Sequence, residues 1–280
     1  MIHEDVHCKR NERKNVVCQT DRKGRSQPFF CHIQGQDIVV PPSITERPVN
    51  LDCHHCIGQN MGKALDMAWR IPYLDEKAAE IAKERGKLML FHYGGGHLYE
   101  ASYYSVGARQ AVSEMFGGER QAKYNFSVSD NSSGNEYFMS LLLSTFCLAT
   151  TGTGWGGRLK VGLVRGCIPV IIHDGIYAEW EGNLPLWNYT IRLPSYMTYQ
   201  LPTILQTYVS TGRAAKMQEN LKCAWRLHWW RRPHGKAFEV LACELMRRKK
   251  GLKGPMQIDF QACTLTCIPG EPAINLLEHL

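Results

Sequence analysis

The sequence has no apolar run of the roughly 18 residues that a membrane-spanning helix needs. Its first residues, MIHEDVHCKRNERK, lack the apolar stretch of a signal peptide. There is no internal repeat and no low-complexity tract, which removes solenoid and fibrous architectures. No Asp-x-Asp pair is present, which argues against a required divalent metal, and the glycine loop is expected to be neither the GxGxxG dinucleotide fingerprint nor a P-loop with its Lys-Ser/Thr ending. The C-x-x-C run Cys53-His54-His55-Cys56 has no second copy, and Cys263 with Cys267 is the only similarly spaced pair, so a structural zinc centre is not expected. Nor is there a field of one sign. The net charge of +7 comes from 33 basic against 26 acidic residues, interspersed, and without a nucleic-acid module motif nucleic acid is not an expected partner.

What is present is globular. At 280 residues, 44% hydrophobic and 21% charged, the chain can bury a core in one or two domains. Its 11 cysteines are many; in an oxidising compartment they pair, at about 2–4 kcal/mol per bridge, and an odd count leaves at least one free. Sequons at Asn125, Asn131 and Asn188 fit a lumenal location, although such triplets also arise by chance.

The most informative stretch runs from Ser144 to Pro194. Phe146-Cys147-Leu148-Ala149 reads as a buried strand. Thr151 to Gly157 then holds four glycines in seven residues. Arg158 to Arg165 has helical spacing, with Leu159, Leu163 and Val164 on one side and Gly166 as a C-terminal cap. Ile168 to Ile172 is β-branched and apolar, a second buried strand. Strand, glycine loop, helix, glycine, strand is one βαβ unit of a parallel sheet. Glycines admit a ligand close to the backbone, and a helix N-terminus suits an anion. Arg158 in the first helical turn opposes the helix dipole unless an anion shares the site; the alternative is a solvated arginine on an ordinary βα loop.

The runs FCLATTGTGWGGRL, GCIPVIIHDGIYAEWEGNLP and YTIRLP resemble the exostosin family of glycosyltransferases. GQDIVVPP at Gly35–Pro42, LMLFHYGG at Leu88–Gly95, YSVGARQAV at Tyr104–Val112, MQENLKCAWRLHWW and AFEVLACELMRR agree in order, so the resemblance covers Gly35 to Lys250. It implies an α/β fold: a Rossmann-like parallel sheet flanked by helices, like the C-terminal, donor-binding half of a GT-B enzyme. Residues 1–34 would be a basic, cysteine-containing segment and residues 251–280 a tail. A full N-terminal half takes on the order of 100 residues, so the acceptor half is expected to be missing or supplied by a partner chain.

The same resemblance implies transfer of a sugar from a nucleotide sugar, UDP-linked, to a polysaccharide or glycoprotein glycan, with inversion, in the Golgi. No cofactor beyond that donor is implied. Gly94, Gly95, Arg109, Gly152, Gly154, Trp155, Gly156 and Arg158 fall at the family's nucleotide-sugar positions. Asp174 and Glu181 are candidates for the base that deprotonates the acceptor; the alternatives are turn capping for both and a base in the acceptor half. The chain departs from the family pattern at His97, where a basic residue is usual, at Val161, where a carboxylate or Gln is usual, at Gly182 in the F-E-D turn, and at Ala149-Thr150. These departures imply a changed donor preference or lost activity, and with it a non-catalytic nucleotide- or glycan-binding module as the rival reading.

Elsewhere the spacing predicts a strand over Asp37–Val40, helices within 61–85, a strand over Leu88–Tyr93, a helix over Ser105–Met115 capped by Ser105, a strand over Tyr124–Val128, and helices over Asn135–Leu143, Leu201–Tyr208, Lys216–Trp229 and Ala237–Arg248. Trp225, Trp229 and Trp230 with Arg226, Arg231 and Arg232 read as core packing with a basic edge, or else as a glycan- or nucleic-acid-binding stripe.

Overall fold

Five short apolar runs build the centre of the molecule. The computed structural model describes residues 38–42, 71–95, 104–129, 134–151 and 157–278. Strands β1 (Phe91–Gly94), β2 (Phe126–Ser129), β3 (Phe146–Leu148), β4 (Ile168–Ile172) and β5 (Ile191–Leu193) form one sheet in the order β2-β1-β3-β4-β5. Every neighbouring pair is parallel. Strands β1, β3 and β4 are buried at every residue, as a parallel sheet covered on both faces requires. This is the expected α/β, Rossmann-like sheet flanked by helices.

The helices are α1 (Glu76–Ala82), α2 (Ala108–Phe116), α3 (Arg120–Tyr124), α4 (Gly134–Leu143), α5 (Arg158–Arg165), α6 (Leu201–Ser210), α7 (Arg213–Ala224) and α8 (Ala237–Lys249). In the β3–α5–β4 unit α5 and β4 keep the bounds read from their residues, and β3 ends at Leu148 rather than Ala149. Gly166 ends α5 with φ +74°, a left-handed cap that glycine adopts without strain. Pro169 sits inside β4, where a missing N–H should break a ladder. It does not, because the N–H of Ile168 donates to Thr145 and that of Ala149 donates to Val170, while pairing with β5 begins only at Val170. The position of the absent donor falls before β5 starts.

Helix α5 differs from its expected one-sided pattern. All seven residues from Leu159 to Arg165 are buried, because the helix is wedged between β4, α4, α7 and the turn Trp225–His228. Lys160 reaches the carbonyl of Pro42 and lies 5.4 Å from the ring centroid of Trp229. Arg165 lies 5.1 Å from that of Phe138. Arg85 donates to Leu141 O at 3.0 Å, Ser144 O at 2.7 Å and Arg165 O at 2.6 Å, so one cation satisfies carbonyls at the C-terminal ends of α4 and α5.

Several bounds move. Helix α2 begins at Ala108 rather than Ser105, because Ser105, Val106 and Gly107 are left-handed with φ +53°, +51° and +77°. The hydroxyl of Ser105 still accepts from the Arg109 N–H at 3.2 Å. Strand β1 is shorter than Leu88–Tyr93 because pairing with β2 starts at Phe91. Asp37 of the predicted strand lies outside the described residues and Ile38–Val40 is not in a strand; Val39 accepts a bond from the Trp180 N–H at 2.7 Å. The tryptophan group is core: Trp225 is fully buried and Trp229 nearly so, Arg226 stacks on Trp225 at 4.9 Å, and Arg231 and Arg232 are exposed.

Residues after Lys250, read as a tail, fold into an antiparallel sheet of β6 (Gln257–Asp259), β7 (Thr264–Thr266) and β8 (Ile274–Asn275). Disulfides Cys223–Cys263 and Cys243–Cys267 tie it to α7 and α8. Short strands carry little periodicity of their own, which is why the sequence concealed them. Residues 1–34, the Cys53–Cys56 run and the Met61–Ala68 part of the predicted helical region lie outside the described residues.

Candidate functional site

The strand order places a topological switch point between β1 and β3: the chain leaves β1 for β2 on one side, and β3, β4 and β5 fill the other. Ligands of open α/β sheets bind outside the strand C-terminal ends at such a point. Here those ends are Gly94-Gly95 after β1 and Thr150-Thr151 after β3.

Four of the predicted residues meet around this point. Arg158, the first residue of α5, donates from Nη1 to the Gly94 carbonyl at 2.6 Å. Its guanidinium carbon is 5.6 Å from the ring centroid of Tyr93 and 5.5 Å from that of Tyr137. Gly95 has φ +118°, and a Cβ there would stand 2.4 Å from Arg158 Nη2. Only glycine therefore lets the β1 turn approach the arginine so closely. Arg109, nearly buried on α2, donates from Nε to the Thr151 carbonyl at 3.1 Å and so holds the start of the glycine loop. Both arginine charges also act on the Tyr137 phenol, whose pKa desolvation raises and they pull back down.

Gly152, Gly154, Trp155 and Gly156 lie outside the described residues. Their spacing corrects the expectation that this loop is not the dinucleotide fingerprint. Gly152, Gly154 and Gly157 stand at G-x-G-x-x-G between strand β3 and helix α5, the context in which that fingerprint binds a diphosphate. The fingerprint's acidic residue follows about 20 positions on, near the end of the next strand; Asp174 stands there, two residues past β4.

Asp174 is exposed and accepts from the Ser195 N–H at 3.0 Å and from the Ser195 hydroxyl. Glu181 accepts on Oε2 from the Ala178 N–H at 2.6 Å and from Arg192 Nη1 at 3.0 Å. Both carboxylates thus hold turns. A carboxylate has room for further acceptor contacts, so neither arrangement removes it from chemistry.

Sequence reasoning passed over a group behind this edge. A cavity of about 20 Å³, the size of a water site, opens at the ends of β3 and β4 with Thr150, Thr151, His173 and Glu179 on its walls. The Thr151 hydroxyl is buried with no hydrogen-bond partner. The Glu179 carboxylate meets His228 Nδ1 at 2.7 Å, and His228 Nε2 meets the Tyr189 hydroxyl at 3.1 Å, all three side chains buried. Between Glu179 and Glu181, Trp180 holds φ +58°, fixed by its own indole N–H to Leu227 O at 2.8 Å. Nothing in the sequence joins Glu179 to His228, 49 positions away.

Two histidines of the region are held neutral. Burial, then the Arg158 charge, lowers the His92 pKa from 6.5 to about 4; burial, then Arg192, does the same to His173. His92 Nδ1 lies 3.2 Å from the Ser127 hydroxyl and its Nε2 has no partner. Among the described residues no three His, Cys, Asp or Glu side chains cluster as metal ligands.

The glycine turn, the two arginines and the fingerprint spacing lie around one switch point of a Rossmann-like sheet. The chain is similar to plant glycosyltransferases. A protein of Arabidopsis thaliana named "probable glucuronoxylan glucuronosyltransferase" is 28% identical over 153 residues, 52% of this chain and 31% of the relative. A "probable glucuronosyltransferase" of Oryza sativa subsp. japonica is 30% identical over 199 residues, 65% of this chain and 45% of the relative. A "probable beta-1,4-xylosyltransferase" of Arabidopsis thaliana is 32% identical over 107 residues, 38% of this chain and 25% of the relative. The chain therefore spans less than half the length of these relatives. No family model matches it.

Proposed function

We propose that the chain binds the diphosphate of a nucleotide sugar, UDP-linked, at the ends of β1 and β3, as the donor half of an exostosin-type inverting glycosyltransferase. The observation that carries the proposal is the convergence of Arg158, Gly94-Gly95 and Arg109 on the switch point, at the N-terminus of a helix that follows a G-x-G-x-x-G loop. Charge grows on the departing diphosphate as the glycosidic bond breaks. A fixed guanidinium and unpaired helix N–H groups aimed at it lower the barrier. Arg158 spends one of its five N–H donors on Gly94 and has others to offer. Asp174 takes the ribose, in the place that the acidic residue of a Rossmann βαβ unit occupies. The acceptor would be a polysaccharide or glycan and the acceptor half would come from outside the described residues or from a partner chain. The two disulfides fit an oxidising compartment such as the Golgi lumen.

One observation favours a second reading, a nucleotide- or glycan-binding module without turnover. Val161, buried on α5, stands where the resembled family usually carries a carboxylate or Gln, so that polar contact to the donor is lost.

Calorimetric titration of the purified chain with UDP, UDP-xylose, UDP-glucuronate and GDP tests the proposal. UDP binding that is lost in Arg158→Ala supports it, and weaker UDP but unchanged pyrophosphate binding in Asp174→Asn supports the ribose role. Failure to bind any nucleotide removes the donor site.

A further inference from the structure

The Asn-x-Ser/Thr triplets at Asn125, Asn131 and Asn188 look alike in the sequence and differ in the fold. Asn131 lies outside the described residues. Asn188 is half-buried in a packed turn: its carbonyl accepts from Asn220 Nδ2 at 2.8 Å, and Tyr189 and Thr190 next to it are buried. Asn125 is exposed.

Asn125 ends α3 with φ +55° and leads straight into β2. Its backbone is held on both sides. The N–H donates to the Ala122 carbonyl, and the carbonyl accepts from the Leu90 N–H at 2.7 Å. Asparagine is a ready choice for a left-handed position, and in turns its side chain commonly bonds nearby backbone. Here the carboxamide makes no hydrogen bond with any described residue. A fixed backbone that presents a free amide to water on a surface turn is what the acceptor of an N-linked glycan requires.

The position suits a glycan in a second way. All strands of the sheet are parallel, so Asn125, just before β2, stands at the end opposite Gly94, Thr151 and Asp174. The four residues of β2 separate the two ends by about 13 Å. A glycan rooted at Asn125 leaves the candidate site open. It lies instead beside the outer edge of β2, which pairs with no further strand among the described residues. One edge group, the Val128 N–H, is met by a side chain, Gln121 Oε1 at 2.8 Å. A bulky hydrated chain at that edge blocks pairing with another molecule.

We propose that Asn125 is an N-glycosylation site and that its glycan guards the open edge of the sheet. The sugar donor is a lipid-diphosphate-linked oligosaccharide. The carboxamide Nδ2 displaces the diphosphate from the first sugar's C1: a C–N bond forms, a C–O bond breaks, Nδ2 loses a proton, and the lipid diphosphate leaves with the bonding pair. The inference rests on the oxidising-compartment reading above, which the two disulfides support, and not on the donor site.

The full 280-residue chain, secreted from eukaryotic cells behind a cleavable signal peptide, tests this by intact mass before and after peptide-N-glycosidase F. The parent is expected to carry one glycan more than Asn125→Gln. Ser127→Ala loses the same glycan without touching Asn125, and Ser127→Thr keeps it, which separates loss of the triplet from a folding defect. Equal glycan number in the parent and Asn125→Gln overturns the site. Enzymatic release of the glycan is expected to raise the self-associated fraction on size exclusion; an unchanged profile overturns the guarding role. UDP titrated into both forms keeps the two readings apart. UDP binding by a chain without this glycan leaves the donor site standing, and a chain glycosylated at Asn125 that binds no UDP does the reverse.

Discussion

Replacing Gly95 by alanine probes the closest contact of the candidate site. Its backbone φ of +118° is strained for any residue with a Cβ, at about 1–3 kcal/mol. The new methyl would also stand 2.4 Å from Arg158 Nη2, so the tip of that side chain has to shift. A shift that breaks its 2.6 Å bond to Gly94 O costs up to a further charged hydrogen bond, about 1.5–3 kcal/mol. The two effects together amount to at most roughly 2.5–6 kcal/mol, and at about 2–4 °C per kcal/mol for a domain of this size Tm falls by up to roughly 5–24 °C. Thermal unfolding of the parent, Gly95→Ala, Arg158→Ala and the double variant separates the parts. Once Arg158 is already alanine only the backbone strain remains, so Gly95→Ala costs about 1–3 kcal/mol there. An equal cost in both backgrounds refutes the Gly95–Arg158 contact, and no cost in either refutes the left-handed turn. Under the proposed function the same variant weakens UDP binding as Arg158→Ala does.

Three further outcomes follow from the fold. His228→Ala leaves the Glu179 carboxylate buried without its partner at 2.7 Å and is expected to cost about 3–5 kcal/mol in urea unfolding, part of it recovered by adding Glu179→Gln. His92 and His173 titrate near 6.5 when unfolded but at about 4 when folded. The unfolded chain binds more protons between those values, so stability is full above pH 6.5 and falls as pH drops to about 4. The loss is at most roughly 3 kcal/mol per histidine, seen in urea midpoints across that range and flattened by His92→Gln. Serine at both Cys223 and Cys263, which close a separation of 40 residues, should lower stability by about 2–4 kcal/mol and Tm by several degrees on a thermal scan.

The sequence by itself determined the β3–α5–β4 unit to within one residue at the end of β3, because its signals are local. An apolar β-branched run has to be buried, a glycine at a helix end adopts the left-handed cap, and helical spacing spans only two turns. It also singled out Gly94, Gly95, Arg109 and Arg158 through their resemblance to a known family. Tertiary structure decided the rest. Only the strand order brings the ends of β1 and β3 side by side and makes a switch point between them. Only packing decides that Lys160 and Arg165 are buried, that Glu179 meets His228, and that Cys263 and Cys267 bridge to two helices instead of ligating a metal. Such contacts join residues tens of positions apart, and no local pattern records them. The triplet at Asn125 lies between these cases. Its three residues are plain in the sequence, but that its amide meets water depends on where α3 delivers the chain to the sheet edge.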